Sequence, residues 1–208
     1  MRTNQTQEEK NLVGFSRVEK LHPYKTFLFF ALLGSTIIFL ALAFLYSLKI
    51  VEISGIENFQ MPRAFIVSTI LLLLSSMSIS KVVDNYNSDS FSAIKNTLGV
   101  TLFLAVLFTI SQVIGWKVMF DAGYFINGQT GISFIYLISG LHLMHVICGI
   151  GFIIYLLTGV QKNSNDIVKS LLFFTDNYQK TKLELATIYW HFVDILWLGL
   201  FLMFLFTF

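Results

Sequence analysis

The sequence predicts an all-α integral membrane protein, a bundle of five transmembrane helices, and three observations carry that reading. Of 208 residues, 55% are hydrophobic and only 12% charged, where a soluble domain carries about 25%. Mean hydropathy is +0.72. The apolar residues gather in five long runs, not in short alternating strands separated by turns, which argues against a membrane β-barrel. So few charges could not cover a water-facing surface, and lipid suits such a chain once each backbone group is satisfied inside its own helix.

In chain order, residues 1–25 are polar and mixed in charge and read as a cytoplasmic N-terminal segment, with a short amphipathic stretch at 12–15. The five-helix membrane domain then occupies 26–208. No cleavable signal peptide is evident, because the first apolar run starts late and is longer than a signal core, so its helix is expected to be retained. Span one, 27–48, carries no charge and measures about 33 Å as a helix, enough to cross a bilayer. A polar loop, 49–61, leads to Pro62, expected as the first residue of span two. That span, 64–80, is short, and Lys81 can lengthen it by snorkelling to the interface. A polar connector, 81–95, precedes span three, 97–116, where Trp116-Lys117 forms an interfacial anchor. The uncharged run from 122 to 161 is too long for one crossing. Gly123, Asn127-Gly128-Gln129 and Gly131 place a loop in its first third, leaving span four at 133–158. A polar loop, 161–184, leads to span five, 185–208.

Lys and Arg set the orientation. With the N-terminus inside, the inner segments hold eleven and the outer segments three, so the N-terminus is predicted to be cytoplasmic and the C-terminus periplasmic. A formal net charge of +2 gives no case for nucleic-acid binding. Cys148 is the one cysteine. It sits in an apolar run, excludes an intrachain disulfide, and reads as a small buried residue.

Polar groups inside hydrocarbon are costly, about 2.5–3.5 kcal/mol for an Asp at mid-membrane, so each needs a reason. They concentrate in the last two spans. Ser139, His142, His145 and Gly149 share a face of span four, where Gly140, Gly149 and Gly151 permit close helix approach. Thr187, His191, Asp194 and Leu198 share a face of span five, flanked by Trp190 and Trp197. A depth count at 1.5 Å per residue brings His145 toward the level of Asp194, so His145 or His142 is the expected partner of that carboxylate. A metal or haem site is chemically conceivable. The di-metal bundle pattern, however, needs several Glu and two Glu-x-x-His elements, and spans one to three offer no carboxylate. The expectation is therefore a structural network of His142, His145, His191, Asp194 and Gln112, with no catalytic, cofactor or metal ligand in this chain. Trp116, Tyr189, Trp190 and Trp197 are expected as interfacial or lipid-facing anchors.

These residues also carry a resemblance. The stretch from Tyr189 to Trp197, Tyr-Trp-His-Phe-Val-Asp-Ile-Leu-Trp, resembles the final-helix signature of subunit III of haem–copper oxidases. Gly140 to Gly149 resembles that family's Gly-x-His-x-x-His-Val-x-x-Gly pattern. The segment 62–76 is similar to the start of another family helix, and Gln112 with Trp116 matches part of a Gln-x-x-Glu-Trp element. The resemblance covers roughly 25–208 in a short, bacterial-looking five-helix form. It implies an accessory, non-catalytic subunit of a bacterial terminal oxidase in the cytoplasmic membrane. Such a subunit packs on subunit I, lies near subunit II and other respiratory subunits, and binds phospholipid, with haem and copper held by the partners. The accessory subunit of a nitric oxide reductase is the nearest alternative, and a small multi-pass transporter a more distant one. The chain departs from the family at two places. Gly34-Ser35-Thr36 stands where many members carry a carboxylate, and Gly115 stands where Glu usually precedes the tryptophan, so a role in proton uptake is not implied.

Overall fold

The computed structural model describes residues 23–53, 62–126, 130–164 and 166–207. The expected amphipathic stretch at 12–15, nearly all of the segment 1–25, most of the loop 49–61 and Asn127-Gly128-Gln129 lie outside them. Among the described residues the regular structure is entirely helical: α1 (Pro23–Ile53), α2 (Arg63–Ile79), α3 (Val82–Asn87), α4 (Phe91–Asp121), α5 (Thr130–Ser164), α6 (Ile167–Thr175) and α7 (Asn177–Thr207). Five helical stretches are long and apolar enough to cross a membrane, namely Pro23–Lys49, Arg63–Asn87, Phe91–Asp121, Gly131–Ser164 and Asn177–Phe206.

The helices overrun the predicted spans. α4 starts at Phe91 where the span began at 97, α5 continues to Ser164, and α7 starts at Asn177 in place of 185. Hydropathy locates the hydrocarbon, about 30 Å thick. The 35 residues of α5 extend about 52 Å at helical rise, so its ends project beyond that layer. Pro62 is the N-cap of α2, not its first helical residue. Two segments read as polar loops are largely helical. The connector 81–95 contains α3, and the loop 161–184 contains all of α6 and the opening turns of α7.

Local chemistry sets these boundaries. Ser90 caps α4 by accepting the amide of Ala93 at 3.3 Å, after Asp89 turns the chain at φ 52°. α4 closes with Gly123 at φ +87°, the left-handed conformation that glycine adopts without a Cβ penalty. Asp166 caps α6 through the amide of Val168 at 3.0 Å, and Asp176 caps α7 through the amide of Tyr178 at 2.9 Å.

The chain divides into two compact units, 1–35 and 36–208, and the division falls inside α1. The described part of the first unit is the opening of α1, with Phe27, Phe29 and Phe30 exposed. In the second unit, α2 packs against α4 and α7, and α5 against α4 and α7. Two buried clusters hold it together. One gathers Phe39, Tyr46, Phe65, Phe108, Val146, Trp197 and Phe204. The other gathers Ile79, Tyr86, Ile94, Leu98, Ile153, Phe173 and Trp190. In the second, Tyr86 donates its hydroxyl to the carbonyls of Phe173 at 2.7 Å and Asp176 at 3.0 Å, which ties it to the junction of α6 and α7.

Candidate intramembrane site

α7 is fastened to its neighbours by tryptophan and tyrosine bonds. Trp190 Nε1 donates to Ser75 Oγ at 3.0 Å, and Trp197 Nε1 donates to Thr69 Oγ1 at 3.0 Å. The later tryptophan meets the earlier acceptor because α2 and α7 run antiparallel. On the α5 side, Tyr189 donates its hydroxyl to the carbonyl of His145 at 2.8 Å. Gly149 lies against the same two rings. A Cβ there would come within 2.8 Å of Trp190 and 3.0 Å of Tyr189. α4 and α5 are joined by Trp116 Nε1 donating to Ser139 Oγ at 3.0 Å and, at their far ends, by Lys95 Nζ donating to Ser164 Oγ at 2.6 Å.

These positions differ from the anchor roles expected of the aromatics. Trp190 and Trp197 are 1% and 0% exposed, so they are interior residues and not lipid-facing ones. Tyr189 and Trp116 are half-buried and bonded into the packing. The physical reason is the indole N–H. A donor turned inward needs an acceptor in a dry interior, and the hydroxyls of α2 supply it.

The predicted polar residues are placed as follows. His142 is fully buried, stacked on Trp197 with ring centres 4.9 Å apart and edge-on to Phe108 at 5.9 Å. Neither of its ring nitrogens has a hydrogen-bond partner among the described residues, and the same holds for both amide atoms of buried Gln112. His145 is half-buried, donates from Nδ1 to the Leu141 carbonyl of its own helix at 2.9 Å, and meets Phe39 edge-on at 5.4 Å. His191 Nδ1 is 2.8 Å from Ser76 Oγ and 3.9 Å from Asp194 Oδ2. Asp194 is 5% exposed, and neither carboxylate oxygen has a hydrogen-bond partner among the described residues.

The expected pairing of Asp194 with His145 or His142 is therefore not made. The imidazole nearest to Asp194 is one turn away on its own helix. His145 faces α1 and its own backbone, and His142 is sandwiched among rings. The histidines serve different neighbours, and no group of three His, Cys, Asp or Glu is gathered at one point among the described residues. Cys148, expected to be buried, is exposed. Ser75, Thr69 and Ser76 are the partners that sequence reasoning did not single out, whereas Ser139 lies on the predicted polar face of span four and is the acceptor of Trp116. A signal was available. Each buried indole N–H in lipid requires an acceptor, and the hydroxyls of α2 recur at spacings close to that of Trp190 and Trp197.

Gly115 is explained by its neighbour. A Cβ there would approach the Phe65 ring to 3.0 Å, and Phe65 in turn stacks on Trp197 at 6.1 Å. The space beside Gly115 is thus filled by a phenyl ring.

Comparison with known proteins identifies the family of the chain. A family model described as cytochrome c oxidase subunit III matches residues 24–207. A protein of Mycosarcoma maydis named cytochrome c oxidase subunit 3 is 33% identical over 154 residues, 73% of this chain and 50% of its own. The protein of that name from Bacillus sp. (strain PS3) is 28% identical over 148 residues, 71% of this chain and 66% of its own. That from Spodoptera frugiperda is 29% identical over 151 residues, 73% of this chain and 92% of its own. The match thus spans half the length of the fungal relative and about two thirds of the Bacillus one. With nearly all of its membrane-crossing helices inside the matched region, the chain belongs to the cytochrome c oxidase subunit III family.

Proposed function

We propose that this chain is an accessory, non-catalytic subunit III of a bacterial haem–copper terminal oxidase. In that role it packs on subunit I, which with subunit II carries the haem and copper, and it holds phospholipid against the complex in the cytoplasmic membrane. The family match across residues 24–207 carries this reading. The geometry supports it: the polar side chains of α4, α5 and α7 mainly fasten helices, and the tryptophan–hydroxyl bonds join α7 to α2 and α4 to α5. Of the five polar residues expected to form a network, His191 joins this framework through Ser76 of α2, and we assign His142, His145, Asp194 and Gln112 a structural role through packing in the helix interior. The orientation that fits is an N-terminus in the cytoplasm, with eleven Lys and Arg on that side against three opposite.

The test is purification of the tagged chain from its own membranes in mild detergent, with reduced-minus-oxidised spectra and metal analysis before and after dissociation. Haem and copper should accompany the intact preparation and leave this chain when the subunits separate. Redox metal retained by the isolated chain would overturn the assignment.

A further inference from the structure

Where α5 ends and α7 begins, these two helices and α6 enclose a cavity of about 380 Å³, within the range of about 300–1,000 Å³ that small-molecule sites occupy. Its floor is apolar and buried, with Val160 from α5 and Phe173 from α6. Its rim is polar and basic, with Lys162 from α5 and Gln179 and Lys182 from the opening turns of α7. Among the described residues no Asp or Glu lines it, and neither lysine is ion-paired. Lys182 is half-buried. Its ammonium lies 4.3 Å from the ring centre of Tyr178 and 5.6 Å from that of Tyr155, and donates to Gln179 Oε1 at 3.3 Å. Two rings and a neutral amide thus hold the cation at the cavity without cancelling its charge. The depth is that of a lipid headgroup. α5 carries no Lys, Arg, Asp or Glu before Lys162, and α7 carries none after Glu184 apart from Asp194. The cavity therefore straddles the level at which hydrocarbon gives way to the interface, where tyrosines also gather.

We infer that this cavity is the headgroup site of one anionic phospholipid, whose phosphate is received by Lys162 and Lys182 and whose glycerol lies on the apolar floor. Phosphate is the chemistry that two uncancelled ammonium groups select. The buried apolar floor suits an esterified phosphate better than a free one, because only the ester brings carbon to cover Val160 and Phe173. The missing carboxylate selects among lipids. A zwitterionic headgroup would bring its own cation into a lining with no acid to receive it, and the nearest rings already face Lys182. An anionic headgroup brings no such cation. On the orientation proposed above, the lipid belongs to the inner leaflet. The inference rests on the lipid-holding part of the function proposed above and gives it a place and a chemical class.

Native mass spectrometry tests this on the tagged chain as purified from its own membranes, titrated in mild detergent with dioleoylphosphatidylglycerol or dioleoylphosphatidylcholine. Lipid adducts are read on the tagged chain after its release in the gas phase. Phosphatidylglycerol should bind in preference to phosphatidylcholine. Replacing both Lys162 and Lys182 by Gln should lower phosphatidylglycerol occupancy about tenfold. Replacing Lys81 and Lys117 by Gln removes the same charge from exposed positions outside the cavity and should leave occupancy unchanged. Gly159 lines the cavity, and a Cβ there meets nothing within 4 Å. Gly159→Leu therefore keeps both lysines while taking up the space, and should lower occupancy as well, so it decides the matter even where the glutamine pair fails to fold. Equal adducts of the two lipids, or phosphatidylglycerol adducts that survive Gly159→Leu, would overturn the site. Displacement by an equal concentration of inorganic phosphate would assign the cavity to the free anion and overturn the lipid. Any of these results with haem still co-purifying leaves the subunit assignment standing. Wild-type chain that binds phosphatidylglycerol as described but brings down no haem would overturn the assignment and uphold the site.

Discussion

Thr69 and Ser75 each perform two tasks with one oxygen. Thr69 Oγ1 donates to the Phe65 carbonyl at 2.8 Å and accepts from Trp197, and Ser75 Oγ donates to the Leu72 carbonyl at 2.7 Å and accepts from Trp190. Removing the hydroxyl leaves the backbone carbonyl in its helix ladder but strands a buried indole N–H, a loss of about 1–3 kcal/mol. Thr69→Val and Ser75→Ala should therefore each lower the unfolding midpoint in detergent. Ser68→Ala is the control, since the Ser68 hydroxyl donates to the Phe65 carbonyl of its own helix at 2.9 Å, and it should change stability little. Equal losses for all three would show that the indole bonds are not the source. Glycine offers a second contrast. Gly149→Ala drives a Cβ into two rigid rings and should cost about 1–3 kcal/mol by overpacking. Gly151→Ala meets nothing within 4 Å and should be neutral or stabilise by up to about 1 kcal/mol through helix propensity. The same thermal melts read both.

Among the elements, α6 is the longer of the two short helices that the sequence concealed. Its six apolar residues between 167 and 174 are interrupted by Lys169 and Ser170 and flanked by Lys162, Asp166, Lys180 and Lys182, so any window long enough to find a membrane span averages them into a polar loop. Phe173 nonetheless lies under Tyr86 at 5.6 Å, and Phe174 against Phe91 at 4.4 Å. The long spans were legible because hydropathy alone marks them. Their ends were not, because caps such as Ser90 and Asp176 sit outside the hydrocarbon. Partner choice was also hidden: a depth count places Asp194 level with His145, but only packing shows that α7 turns its carboxylate toward His191 instead. The start of α6 carries a pH dependence. Lys169, 3.2 Å from Asp166, and then the Val168 amide hold the Asp166 carboxyl below its ordinary value. A depressed carboxylate stabilises the fold above the unfolded-state value and loses that contribution as pH falls through the folded one. Amide protection of Val168 and Ser170, taken relative to intrinsic exchange at each pH, should hence hold near neutrality and fall only below about pH 4, and Asp166→Asn should remove that dependence.

For the whole molecule, orientation is the prediction with the simplest readout. In a Cys148→Ala background, a cysteine at Asn163 should react with an impermeant thiol reagent only after the cytoplasmic face is opened. One at Asp121 should react in intact cells. The reverse pattern would invert the assigned topology. The order in which the ribosome releases these helices matters as well. α2 leaves the ribosome long before α7, yet the indoles that Ser75 and Thr69 receive, and the rings that fill the notch at Gly149, all arrive on α7. Until then α4 and α5 can join through Trp116 and Ser139, but the indole bonds to α2 are not yet made. A frameshift upstream of Trp190 would leave those hydroxyls and that notch open inside the bilayer, a feature by which membrane proteases could distinguish an unfinished copy from a finished one.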